Sequence, residues 1–541
     1  MADMKIRNSI LLIVLFFTSI VVEAGIKPRF DGNTPMSVRY RMTQRYMKMR
    51  SANHRLAKIG NINDAPLKCT GSPKIPVVLV QFKDKEFSAG YGETVPLIFD
   101  LYFNGTRDGK RYQTKYSYGS VRDYFADQSD SLFLPEFVMI GPITLSRGYG
   151  YYGENTQDVT DLNINDFYEE SIELTNKMNV DWNEFDNDGN GAVDVVFFLY
   201  AGMGENDSNN DDDSTIWPRE EGLGGTFAGI KFGSYVCCNE ESRGKLEGIG
   251  VKCHELSHAL GLPDFYDENY IAYGMDYWDL MDSGCYCLDG IWPCGFSAYE
   301  RDFMGWRKLE TLEFGVGQNV TLFPVDKRGS ISYKIVNPEN PNEYYILENR
   351  QNDNWDCYIG DGGGKYGYYH GMMVSHVLYK PDQWTQNTVN MIPECQLMTL
   401  IPADSTLHSS MFYNEDYAWS MEENKWVEGF TYDFFEKSAA GDLYPGLTKK
   451  TDLQGKKAYV YTSTGATPHM MNQPITDITE HADGTITFKF CGGDATTVRE
   501  IESGTTNNPS IYDMHGRLVP VDRTRLGNGV YIINGKKVLV R

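Results

Sequence analysis

Residues Gly250 to Asp267 read GVKCHELSHALGLPDFYD, and within them His254, Glu255, His258, Gly261 and Asp264 spell HExxHxxGxxD. Residues four apart on a helix share a face, so His254 and His258 can turn ring nitrogens toward one ion. Glu255 lies about 100° round the same helix, where a carboxylate suits a water on that ion rather than the ion itself. Gly261 lets the chain leave the helix in a left-handed conformation, and Pro263 keeps the helix from resuming. Asp264 is then the expected third ligand, which leaves a fourth tetrahedral position open, as catalytic zinc requires. Glu300, in FSAYERDFMGW (Phe296 to Trp306), is the alternative third ligand from a later helix. Ile249, Cys253, Leu256 and Leu260 form an apolar stripe on another face of the helix, so Cys253 reads as packing.

Working outward, 541 residues are too many for one core and imply two or three domains. Lys5 and Arg7 precede an apolar run from Ile10 to Val22, followed by the small Ala24, the pattern of a signal peptide over residues 1–24. No later run has the length and apolarity of a membrane span. Residues 25–74 carry 11 Lys or Arg against 2 Asp or Glu, although the whole chain has a formal charge of -24. A basic segment ahead of an acidic body reads as a prosegment that docks electrostatically, with a helix over 36–59. Cys69 in that segment is a candidate inhibitory ligand, a thiolate filling the open zinc position. The acidic balance speaks against nucleic-acid and anionic-membrane partners and suggests bound calcium. Ten cysteines in an exported chain predict disulfides, by default among Cys237, Cys238, Cys285, Cys287 and Cys294.

Strand and helix patterns alternate between residues 75 and 202: strands at 75–84, 134–145 and 192–202, helices at 120–129 and 167–178. An α+β domain with a mixed sheet follows, over 75–309. Between its elements DNDGNGAVD places Asp186, Asp188, Asn190 and Asp194 like the first half of a calcium loop, with Phe197 where the loop's closing Glu would stand. The acidic run 207–213 reads as a solvated loop. After the zinc helix, Met281 in WDLMDSG is the candidate for an apolar turn beneath the metal, and residues 296–306 read as a helix. Tyr286, close to Met281 in sequence, is a candidate oxyanion helper. From 310 to 493 short strands separated by Gly, Pro, Asn and Asp predict a β-sandwich-like domain, in which His370 and His376 read as structural. Residues 494–541 form a polar linker and a small β tail.

These residues resemble a known family. HELSHALGLPDFYD, WDLMDSG, TIWP (Thr215 to Pro218), FSAYERDFMGW, EYYILENRQ and GDLYPG are similar to the immune inhibitor A family of secreted metallopeptidases, which is metzincin-like. The resemblance implies a zinc endopeptidase made with a prosegment, with bound calcium frequent in the family. It carries His254, His258 and Asp264 over as ligands, Glu255 as base and Met281 as the turn methionine. Arg219 follows TIWP where relatives would have a histidine. The tail is similar to sorting domains of the type IX secretion route, which implies engagement with a bacterial secretion machinery.

The chemistry expected is hydrolysis of peptide bonds by a metal-activated water with Glu255 as general base. No GxSxG elbow or persuasive Cys/His pair supports a nucleophilic route. The rival reading is an exported binding protein or adhesin with a structural zinc helix, against which the intact Glu255 speaks; a hydrolase of non-peptide amides is the third.

Overall fold

The structure, a computed structural model, describes residues 65–493 except 89–93, 107–109, 115–116, 157–158, 208–213, 223–224, 268–271, 362–369, 393–395, 408–417, 421–424, 428–437, 454–458, 463–464 and 469–472. Outside that range it describes only the short strands β1 (Ala24–Gly25) and, in the tail, 511–512, 529–533 and 536–540. The signal segment, the basic helix expected over 36–59, most of the acidic run 207–213 and the linker of the tail lie outside the described residues.

The run KIPVVLVQ forms β2 (Lys74–Gln81), and Val193–Met203 forms β4. Both are buried almost end to end, because the sheet they build is covered on its two faces. Side chains alternate between the two covers. Ile75, Val77, Leu79, Val195, Phe197 and Leu199 enter one apolar cluster, while Val78, Val80, Val196, Phe198 and Tyr200 enter the other. The sheet runs β1, β5 (Arg219–Glu221), β7 (Ile230–Ser242), β4, β2, β3 (Glu136–Thr144), with β6 (Thr226–Phe227) and β8 (Lys245–Leu246) pairing β7. Strands β3, β2, β4 and β7 are mutually parallel, and β5 and β1 add antiparallel at one edge. The expected strand at 134–145 is thus one strand, with a register irregularity opposite Val78 to Val80 taking up its Gly-Pro step.

Helices α1 (Val95–Asn104) and α2 (Val121–Gln128) pack on the first face, and α3 (Ile164–Asn176) on the second. Ser120 and Asp123 close a reciprocal capping box on α2, which fixes where that helix starts. The first face also takes α4 (Gly250–Ala259), the helix of the HExxH motif. After it, α5 (Ala298–Phe303) is shorter than the stretch expected, because the Ser297–Glu300 capping box sets its start and the chain turns at Met304.

Residues 310–493 build two further sheets. One has the order β14 (Met398–Leu400), β13 (Gly371–Leu378), β12 (Asn340–Arg350), β11 (Tyr333–Asn337), β9 (Glu310–Thr311). Another runs β10 (Gln318–Leu322), β20 (Ile486–Phe490), β19 (Ile475–Glu480), and two hairpins, β15 (Ala418–Ser420) with β16 (Lys425–Val427) and β17 (Tyr459–Thr462) with β18 (Gly465–Pro468), complete the unit. The two larger sheets share an apolar cluster that includes Leu322, Ile335, Leu347, Val374, Ile475 and Phe488. The other side of the five-stranded sheet does not stop at a domain boundary. Met373, Val377 and Leu400, with Trp384 of the short helix α6 (Pro381–Thr385), join the same cluster as α4.

Buried charges tie the units together as well. Arg350 on β12 pairs with Glu348 and Asp356 at 3.0 Å each and donates to Gly295 O, while Ala298 N donates to Glu348. Breaking one partner of such a fully buried network strands the rest without water, so it acts as a specific lock rather than a source of net stability.

Nine cysteines are described, and all nine are free thiols. The disulfides expected around the zinc stretch are not formed. Cys237 and Cys238 are neighbours on β7 and point to opposite faces, one into each cluster. Burial pushes the thiols of Cys237, Cys238, Cys253 and Cys294 well up, as inert packing groups.

Candidate metal centre

The first turn of α4 is pressed against the segment 283–290. A Cβ on Gly250 would lie 1.9 Å from Cys285 O, so only glycine admits this approach. Every residue of the helix is buried. Its one lysine, Lys252, is matched by the buried Glu247. At the other end Gly261 takes φ +100° and returns the chain to the helix's last turn, where Leu262 O meets His258 Nδ1 at 2.8 Å.

His254 Nδ1 likewise lies 2.8 Å from Leu280 O. With each Nδ1–H donated to a carbonyl, both Nε2 lone pairs are set free to bind a ligand. The rings stand 4.9 Å apart and nearly perpendicular. Both Nε2 atoms are buried, have no hydrogen-bond partner, and converge on Asp264 Oδ1 at 3.1 and 3.4 Å. Burial depresses the His254 imidazole despite the opposing pull of Asp264. For Asp264 burial acts upward, but His258 and His254 outweigh it and hold the carboxyl well below the usual range. A depressed His254 beside an ionised Asp264 is the combination that metal ligation needs. Two nitrogens and one oxygen in a buried triplet suit zinc.

Met281 is fully buried; its carbonyl accepts from Phe265 N at 2.9 Å, and the preceding Leu280 supplies the carbonyl for His254. This turn therefore braces both the helix and the strand-like segment that carries Asp264. Asp282, not anticipated from the sequence, shapes the same turn: Oδ2 accepts from Met275 N and Asp276 N, and Oδ1 from Ser283 N. Glu255 is fully buried, on the same helix as the two imidazoles.

Other candidates fall elsewhere. Glu300 is not with the imidazoles. Its Oε2 accepts from Ser297 N and Oγ, and it faces Asp279; burial raises both carboxyls, and Asp279 adds to the rise of Glu300. Cys69 sits in the apolar cluster, where its thiol donates to Met304 O at 3.2 Å and its carbonyl accepts from Trp306 Nε1. Held there, its sulfur does not join the group of His254, His258 and Asp264. Tyr286 OH accepts from Asn206 Nδ2 at 3.2 Å. Arg219 is buried in ion pairs with Asp161 and Glu221, a structural task for the position after TIWP. His376 is buried 3.1 Å from Glu343, and His370 pairs with Glu480, both in structural roles.

In the 186–194 loop, ligand oxygens of Asp186, Asp188 and Asp194 lie within 4.8 Å of one another. Asn190 Oδ1 accepts from Ala192 N, and its backbone N–H caps Asp186 and Asp188. Asn187 takes the inner place instead, donating to Asp194 Oδ2 at 3.1 Å. Burial and the neighbouring carboxylates push Asp194 up to about 6.

Residues 73–309 match the immune inhibitor A peptidase M6 catalytic domain. Among individual proteins, the pre-pro-metalloprotease PrtV of Vibrio cholerae is 25% identical over 214 residues, covering 34% of this chain and 23% of PrtV. Immune inhibitor A of Bacillus thuringiensis subsp. alesti is 23% identical over 227 residues, covering 36% of this chain and 32% of its own length. The chain thus spans about a quarter to a third of the length of these relatives. The matched segment contains α4, Asp264 and the Met281 turn, and it ends where the all-β unit begins.

Proposed function

We propose that this chain is a secreted zinc metalloendopeptidase. The observation that carries the reading is the convergence of His254 Nε2, His258 Nε2 and Asp264 Oδ1, with Glu255 on the same helix. These three residues would hold the ion. Bound zinc would supply Lewis-acid polarisation of a peptide carbonyl and a water of lowered pKa. Glu255 takes the proton of the attacking water and delivers it to the leaving amine, so no acyl-enzyme is needed. The buried wall around the site keeps Glu255 and the imidazoles from competing solvent, which strengthens each charge–dipole contact with the reacting group.

The names of the relatives support protein substrates, and the sequence features of residues 1–24 and 25–74 support export as a precursor. The finer architecture, a metzincin-like peptidase unit joined to a β-sandwich-like unit, is supported by the succession of helix, glycine turn and methionine turn. The oxygen-only group of Asp186, Asp188 and Asp194 has the chemistry of a site for a hard cation such as calcium. Hydrolysis of casein or a quenched peptide library by processed protein tests the proposal. Activity that survives both a chelator and Glu255→Ala would end it.

A further inference from the structure

The third ligand is held from outside the segment that matches the peptidase family. Asp264 Oδ2 accepts from Asn387 Nδ2 at 2.6 Å, and Asp264 N donates to Asn387 Oδ1 at 2.6 Å. One side chain thus grips both the carboxylate and the backbone of the same residue, a two-point contact that fixes rotation about the Asp264 side-chain bonds. Asn387 is 1% exposed and takes φ +53°, a left-handed conformation that asparagine tolerates better than most residues, just past the end of α6. Its neighbours hold the same stretch. Asn390 Nδ2 donates to Phe265 O at 2.7 Å, and the Trp384 ring packs against Phe265. With Oδ2 occupied by Asn387, the oxygen left facing the two imidazoles is Oδ1.

We infer that Asn387, supplied by the all-β unit, is a positioning residue that orients Asp264 for the metal. The inference rests on the reading of Asp264 as a zinc ligand. Its physical content is that a carboxylate free to rotate must lose side-chain entropy on binding, whereas a clamped one has already lost it. The clamp also selects one-oxygen ligation, because the second oxygen cannot leave Asn387 without stranding a buried amide.

The test uses the full-length chain stripped of metal, with zinc affinity measured by competition against a chromogenic chelator and coordination read from the visible spectrum of the cobalt(II) form. Asn387→Leu removes both hydrogen bonds. Asn387→Asp keeps the shape and the acceptor for Asp264 N but replaces the donor with a like charge, and it serves if the leucine variant does not fold. Both are expected to weaken zinc by about 10- to 100-fold, the usual range for partners behind a ligand, and to alter the cobalt spectrum. A folded Asn387→Asp with unchanged affinity and an unchanged spectrum, beside an Asp264→Ala variant that loses zinc, overturns the clamp and leaves the ligand assignment standing. Unchanged zinc affinity in Asp264→Ala overturns the ligand assignment itself, and the clamp with it.

Discussion

Two groups of this molecule bring three ligand side chains within reach of a cation, and they are built in opposite ways. The 186–194 loop gathers its carboxylates locally, from residues at most eight positions apart, two of them solvent-facing and capped by the loop's own amides. The His254–Asp264 centre is wholly buried; His258 is held by the nearby Leu262 O, but His254 and Asp264 are held from far along the chain, by Leu280 O and Asn387. The difference teaches that a short acidic motif can assemble a site whose geometry is settled only when the ion arrives. A catalytic site needs its geometry beforehand, and the restraints come from distant parts of the chain.

The comparison can be broken most severely at Glu255. Glu255→Gln is expected to lower kcat/KM on a peptide substrate by about 10²- to 10⁴-fold while zinc stoichiometry by metal analysis stays at that of the parent; zinc lost along with activity would mean that Glu255 helps hold the ion. A large effect on stability is expected at Trp384→Ala. Cutting this fully buried ring from the cluster it shares with α4 should cost about 3–5 kcal/mol by denaturant unfolding. A cost below about 1 kcal/mol would show that the all-β unit merely leans on the peptidase unit.

The loop sharpens the comparison from its other side. Asp194 has its pKa raised in the fold, so without a cation its contribution to stability is present at acid pH and fades as pH rises from the ordinary carboxylate range through about 6. Calcium added at neutral pH should recover that loss and raise Tm by a few degrees in the parent but not in Asp194→Asn. Equal shifts in both would dismiss the loop as a cation site. The smallest effect is expected at the Asp279–Glu300 pair. Both carboxyls are raised, Asp279 to about 6, so their neutral forms favour folding and that preference is lost as pH climbs through their raised values. Glu300→Gln keeps the Ser297 contacts in outline and should flatten the fall of stability with pH, seen as parallel Tm values at pH 4.5 and 7; an unaltered slope would place the titration elsewhere.

Most of the metal centre was legible because its geometry is local. His254 and His258 declare themselves by helical spacing, and Gly261 announces the return that delivers Asp264. The strands of the first sheet were legible too, since β-branched runs such as IPVVLV suit a surface buried on both sides. Asn387 was not, because it stands 123 residues from Asp264 in an unpatterned polar turn where nothing local marks it. Glu300 has the chemistry of a ligand from a later helix, but its spacing from Ser297 is that of a capping box, a signal present in the sequence. The cysteines misled for a different reason. Export favours disulfides in general, whereas adjacent cysteines on a doubly covered strand are directed apart by the pleat.

The long reach from Asp264 to Asn387 bears on the order in which the protein comes into being. A ribosome delivers the histidines and the aspartate well before the turn after α6, and until that turn docks, Asp264 lacks the contact with Asn387. Under the proposed function, a nascent chain would therefore carry an unfinished blade, made ready only once the remainder has arrived.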